Sequence, residues 1–176
     1  MLQELTNAAK IETLWAHHQL EQLMIRLARG IDRGEWSLYR SCFTEQINVN
    51  FERSTGFPEV CVNADLWTRF AALILAPVRR HHQFSNFCFE TDGDHAQGVI
   101  YLVARHWKAT DGGASEFVQN GWYENAFARI EGEWKITRML HTHSWISGNG
   151  ALLSNHAPEV LELMKQVFCE ANFVKR

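Results

Sequence analysis

The chain has 176 residues, 46% of them apolar and 21% charged, with a formal net charge of −3. That length suits one domain, which buries about 70% of the surface its unfolded chain exposes and so has room for a core and a pocket. A small negative charge gives no electrostatic reason to expect nucleic acid or an acidic membrane as a partner.

The four cysteines, Cys42, Cys61, Cys88 and Cys169, are scattered without a C-x-x-C pair. This argues against a disulfide framework or structural zinc and for free buried thiols in a reducing compartment. The opening "MLQELTNAAKIE" lacks the basic start and apolar run of a signal peptide. The longest apolar run, "FAALILA", is far short of the roughly 20 residues that span a bilayer. The expectation is a soluble, cytoplasmic protein without a membrane partner.

In chain order, "IETLWAHHQLEQLMIRLARGI" sets Leu20, Leu23, Met24, Leu27 and Ile31 at helical spacing. "GIDRGEW" then breaks the helix, with Gly30 and Gly34 flanking Asp32. "EWSLYRSCF" reads as a short helix and "QINVNFE" as a strand. "NADLWTRFAALILAP" is a third helix, capped by Asn63 and ended by Pro77. The period then changes from helix to strand. "HHQFSNFCFET", "AQGVIYLVARHWKA", "SEFVQNGWYENAFARI" and "EWKITRMLHTHSWIS" are strands joined by "DGDH", "TDGGA" and "EG", a four-strand antiparallel meander. Finally, "APEVLELMKQVFCEANF" gives an amphipathic helix over about 157–171.

Helices followed by strands predict an α+β fold. A long sheet facing a few helices curls round them into a cone, leaving an apolar pocket that is a ligand site by geometry. The whole chain, 1–176, is expected to form one domain with its core over about 10–148.

Several side chains could serve that pocket. In "VRRHHQFSNF", neighbouring residues of a strand point to opposite faces, so one of His81 and His82 faces inward. His82, Phe84, Asn86 and Cys88 fall on one face. Asp32 in its Gly-flanked turn suits a turn or capping role as well as a buried one. His106 alternates with Arg105 and Trp107. Tyr123, Asn125, Phe127 and Arg129 share a face, Arg129 near the turn as either a rim ion-pair residue or an anion clamp. "HTH" places His141 and His143 at a spacing metals use, but no carboxylate completes a site. They are expected in solvent or at a dimer interface, with no metal. Trp67, Phe70, Phe84, Phe87, Phe89, Trp122 and Trp145 are expected mostly in the core, some lining the cone, with "LWTRFAALIL" as its wall or lid.

"ARGIDRGEWSLYRSCFTE", "HHQFSN", "DGDHA" and "GWYENAFARIEGEWKITR", in this order, resemble the nuclear transport factor 2-like superfamily, specifically its SnoaL-like and scytalone dehydratase-like members, over roughly residues 10 to 148. The resemblance implies that Asp32 pairs with His82 and that His106 is a second pocket histidine. It also shows departures. Scytalone dehydratase-like proteins carry tyrosines where Ile31 and Phe51 stand, so the device that polarises a carbonyl through water is missing. A related dehydrochlorinase has an Arg near the place of Arg129 and a Lys where Leu27 stands. The function implied is a cofactor-independent lyase or isomerase acting on a small, hydrophobic, oxygenated molecule by His/Asp acid–base chemistry. Asp32, His82, His106 and Tyr123 would be catalytic. Ile31, Phe51, Trp67, Phe70, Phe84, Asn86, Asn125 and Arg129 would bind substrate, in a homodimer or homotrimer. The alternative is a non-catalytic ligand-binding or oligomer-building subunit resembling the β subunits of aromatic-ring dioxygenases.

Overall fold

The computed structural model describes residues 6–154 and 156–175. Helix α1 (Asn7–Arg33) starts where the Thr6 hydroxyl accepts the Ala9 amide at 3.2 Å, satisfying a donor the helix itself leaves open. Its buried residues, Ala16, Leu20, Leu23, Met24, Leu27 and Ile31, form the stripe read from the sequence. The helix does not break at Gly30. It runs on to Gly34, which closes it at φ 67°, so Asp32 sits in the last helical turn and not in a loop. Gly30 serves another purpose. A Cβ there would lie 2.8 Å from the Tyr39 amide nitrogen, so only glycine lets α2 (Trp36–Ser41) pack this closely.

The sheet has six strands: β1 (Phe43–Asn50), β2 (Val60–Asn63), β3 (Arg79–Asp92), β4 (His95–Thr110), β5 (Gly113–Ile130) and β6 (Glu133–Gly148), in the order β2-β1-β6-β5-β4-β3. β3 to β6 form the expected antiparallel meander. The sheet as a whole is mixed, because β1 runs parallel to β6. Parallel neighbours need a long crossover, and everything from the short helix α3 (Glu52–Thr55) to β5 supplies it. The four-residue β2 is too short to show a period and was not expected.

Helix α4 (Ala64–Leu75), capped by Asn63 as expected, packs against the C-terminal helix α5 (Pro158–Val167). α5 is shorter than the expected 157–171. The Asn172 amide donates to the Gln166 and Val167 carbonyls at 2.8 and 3.0 Å, ending the helix, and a 3-10 turn (Glu170–Asn172) follows. The tail then pairs Phe173 with Val60, and the Val174 amide reaches the Glu59 carbonyl.

Three local expectations fail for physical reasons. β3 carries a bulge: Ser85 pairs with Tyr101 and Cys88 with Val99, so two residues oppose one. Asn86, at φ 48°, is the bulged residue. The phase therefore flips. Phe87 and Phe89 turn inward, while Asn86 and Cys88, expected beside His82, are exposed. Of the four free thiols only Cys42 is buried. Trp145, expected in the core, is exposed, because β6 outruns its cover of helices.

Candidate active site

Asp32 and His82, fifty positions apart, meet at the end of α1. The His82 amide donates to both carboxylate oxygens at 3.0 Å, and its ring Nδ1 lies 2.7 Å from Oδ1. The His82 side chain is 6% exposed and Asp32 20%. Burial by itself would raise the Asp32 pKa, but the hydrogen bonds from the His82 ring and amide, with the charges of His82 and His81, outweigh it and hold the carboxyl below its ordinary range. An ionised carboxylate only accepts, so the proton between the two sits on Nδ1. That leaves Nε2, at the opposite edge of the ring, as a lone-pair acceptor. His81 points outward, 71% exposed, and its Nδ1 stays 3.8 Å from the same carboxylate.

His82 lines a cavity of about 530 Å³ between the concave face of the sheet and helices α4 and α5. α4 contributes Trp67 and Phe70, the segment after β1 contributes Phe51, and α5 with the residue after it contributes Leu161, Met164 and Phe168. Among the described residues the lining holds no Asp, Glu, Lys or Arg side chain. His106, 2% exposed, stands edge-on to His82 with ring centres 5.6 Å apart. Burial, then the charge of His82, pushes its pKa down to about 4, so it is neutral at physiological pH. Tyr123 lines the same space and burial pushes its phenol pKa up, keeping it a neutral donor.

Polar side chains that the sequence reading did not place in the site also line the cavity: Tyr39 and His141, with Ser54, Thr55, Gln119, Ser154 and His156. Tyr39 accepts the Trp67 indole N–H at 2.8 Å, which leaves its own O–H free to donate. No local pattern marks it, because Gly30 and the packing of α2 bring it in. His141, expected at the surface, is 3% exposed and stacks on Phe51 at 5.0 Å with 17° between the planes. The signal existed. A bulge at Thr137 turns Met139 inward, and His141 follows at the strand period of two.

The structure brings Asp32, His82, His106, Tyr123, Phe51, Trp67 and Phe70 to or immediately behind one cavity, and keeps five other expected residues off its walls. Ile31 is buried in the core on the inner face of α1. Phe84 packs against the far side of Tyr123, with ring centres 5.8 Å apart. Asn86 is exposed by the bulge. Asn125 is buried against α1, its amide 3.5 Å from the Met24 sulfur. Arg129 lies over Trp134 and 3.7 Å from Asp94, at the hairpin end of the sheet and not at the cavity. Among the described residues no three His, Cys, Asp or Glu side chains are grouped to hold a metal ion.

A family described as SnoaL-like domain matches residues 12–140. No match is found among curated proteins. Among solved structures, the Kfla4162 protein from Kribbella flavida superposes with a TM-score of 0.74 and 24% identity, covering 78% of this chain and 96% of its own. A candidate scytalone dehydratase from Novosphingobium aromaticivorans gives 0.68 and 17%, covering 78% and 89%. A hexachlorocyclohexane dehydrochlorinase of type 2 gives 0.68 and 15%, covering 80% and 93%. At these identities the likeness is one of fold.

Proposed function

The chain belongs to the SnoaL-like domain family, and we propose on that footing that it is a cofactor-independent lyase or isomerase. Its substrate would be a small, uncharged, ring-bearing molecule with an oxygen function. The observation that carries this reading is the Asp32–His82 pair set into the wall of a largely apolar cavity whose lining, among the described residues, holds no Asp, Glu, Lys or Arg side chain. Asp32 fixes the tautomer that leaves Nε2 of His82 unprotonated, and that nitrogen takes a proton from carbon next to an electron-withdrawing group. The charge that develops on oxygen, or on a departing group, is met by donors from His106 and Tyr123. Dehydration, ring closure and double-bond migration all begin with this proton transfer. The aromatic walls favour a ring, and the absence of charged lining side chains among the described residues favours a neutral one.

The test uses uncharged mono- and bicyclic β-hydroxy ketones and β,γ-unsaturated ketones in deuterated buffer. Enone absorbance and deuterium incorporation are followed. His82→Ala should lower the rate by about 10²–10⁴ with the circular dichroism spectrum unchanged; undiminished turnover in that variant ends the mechanism. The exposed Tyr101, Trp145 and Ile146 offer apolar surface for a homodimer or homotrimer under either this reading or the non-catalytic alternative. Ligand binding without exchange, together with a defined oligomer in ultracentrifugation, would favour that alternative.

A further inference from the structure

Four imidazoles line one cavity, those of His82, His106, His141 and His156, and His82 and His141 differ in what their buried nitrogen meets. For His82 it is the Asp32 carboxylate at 2.7 Å. For His141, as for His106, it is nothing: Nδ1 is shut off from solvent and has no hydrogen-bond partner. A buried N–H without an acceptor costs more than a buried lone pair without a donor. The neutral tautomer that avoids this cost carries its proton on Nε2, the ring nitrogen that is not both buried and unpartnered. The stack on Phe51 and the Tyr123 ring at 5.3 Å hold its plane. Burial, with the charges of the other histidines, pushes the pKa of His141 down to about 4, so it offers a hydrogen bond without a formal charge. Such a donor suits a carbonyl or hydroxyl oxygen, not a carboxylate.

We propose that His141 is a substrate-contacting residue that donates from Nε2 to an uncharged oxygen of the ligand, so that the substrate class is a neutral cyclic ketone or its enol. This rests on the reading of the cavity as the substrate site. One wall then accepts a proton through His82 while another donates a hydrogen bond through His141, and this opposite polarity orients a ring lying between them.

Two measurements on the full-length protein test it. Long-range ¹H–¹⁵N spectra at neutral pH should show the Nε2–H tautomer at His141 and the Nδ1–H tautomer at His82; an Nδ1–H tautomer at His141 overturns the assignment. Calorimetric binding of 1-tetralone and of tetralin, the same rings without the carbonyl, gives the second reading. His141→Phe keeps an aromatic ring on Phe51 and removes the donor. It should weaken tetralone binding about tenfold, the worth of one neutral hydrogen bond, and leave tetralin unchanged. His141→Gln, whose amide nitrogen falls near the place of Nε2, should restore much of the loss. Equal tetralone affinity in His141→Phe, or equal loss of both probes, shows a packing role and overturns the proposal. Failure of the wild type to bind either probe removes the cavity as a ligand site and this assignment with it. Tetralone binding that depends on His141 in a protein inactive in the exchange assay keeps the assignment and removes the catalytic reading.

Discussion

Asp32 occupies the last turn of α1, where the open carbonyls of a helix end repel a carboxylate. Local helix chemistry therefore argues against an acid there, and two N–H groups of His82 offset the cost. Asparagine would present an N–H to His82 as readily as an oxygen, freeing the ring to adopt either tautomer. Asp32→Asn is expected to cut kcat/KM by about 10²–10⁴, with Tm changed little. Steady-state kinetics beside thermal denaturation checks this, and full activity in the variant would remove Asp32 from the mechanism. Tyr39 gives a prediction about stability. Tyr39→Phe deletes the acceptor of the buried Trp67 N–H, at a cost of about 1–3 kcal/mol in urea unfolding.

At the scale of elements, the close contact of α1 with α2 and the bulge in β3 decide what faces the cavity. Gly30→Ala adds helix propensity worth about 1 kcal/mol, but its Cβ meets Tyr39 backbone that cannot swing away. The overpacking term, about 1–3 kcal/mol, wins, so the variant should unfold at lower denaturant. A raised midpoint would show that α2 yields. In β3, Asn86 holds the bulge at φ 48°, a conformation asparagine tolerates and a β-branched residue does not. Asn86→Gly should leave Tm nearly unchanged, while Asn86→Val should lose about 1–2 kcal/mol in the same assay. Element positions were legible because their periods are local: α1's stripe, the Asn63 cap and the four long strands. The bulge was not, because a single inserted residue reverses a strand's phase without altering its composition. This is why Asn86 was expected inside, and a similar slip at Thr137 hid His141.

For the molecule as a whole, the buried histidines set the response to acid. His106 and His141 in the fold take up protons only near pH 4, whereas in the unfolded chain they do so near their ordinary 6.5. Below that ordinary value the unfolded state binds more protons, so stability is fully present above about pH 6.5 and is lost as pH falls toward 4. Urea midpoints across this window should fall steeply. The double variant His106→Phe, His141→Phe should flatten the fall, and an unchanged slope would show that the rings protonate within the fold. The segment that leads into β2 is tied to β6 by the Glu59–Arg138 pair, two contacts of 2.7 and 2.8 Å, and the C-terminal tail pairs with the neighbouring Val60.

By itself the amino-acid order determined the helices, the meander, the α+β class and the doublet at His81 and His82, all written in local periodicity and turn chemistry. The pairing of Asp32 with His82 came from likeness to a family, since no local signal spans fifty residues. The tertiary structure alone decided that β1 lies parallel to β6, that Tyr39 and His141 face the ligand space, and that Ile31, Phe84, Asn86, Asn125 and Arg129 do not. The physical reason is that helix and strand periods tell which residues share a face. Strand order, bulges and close helix contacts, set by packing between distant segments, decide what that face meets.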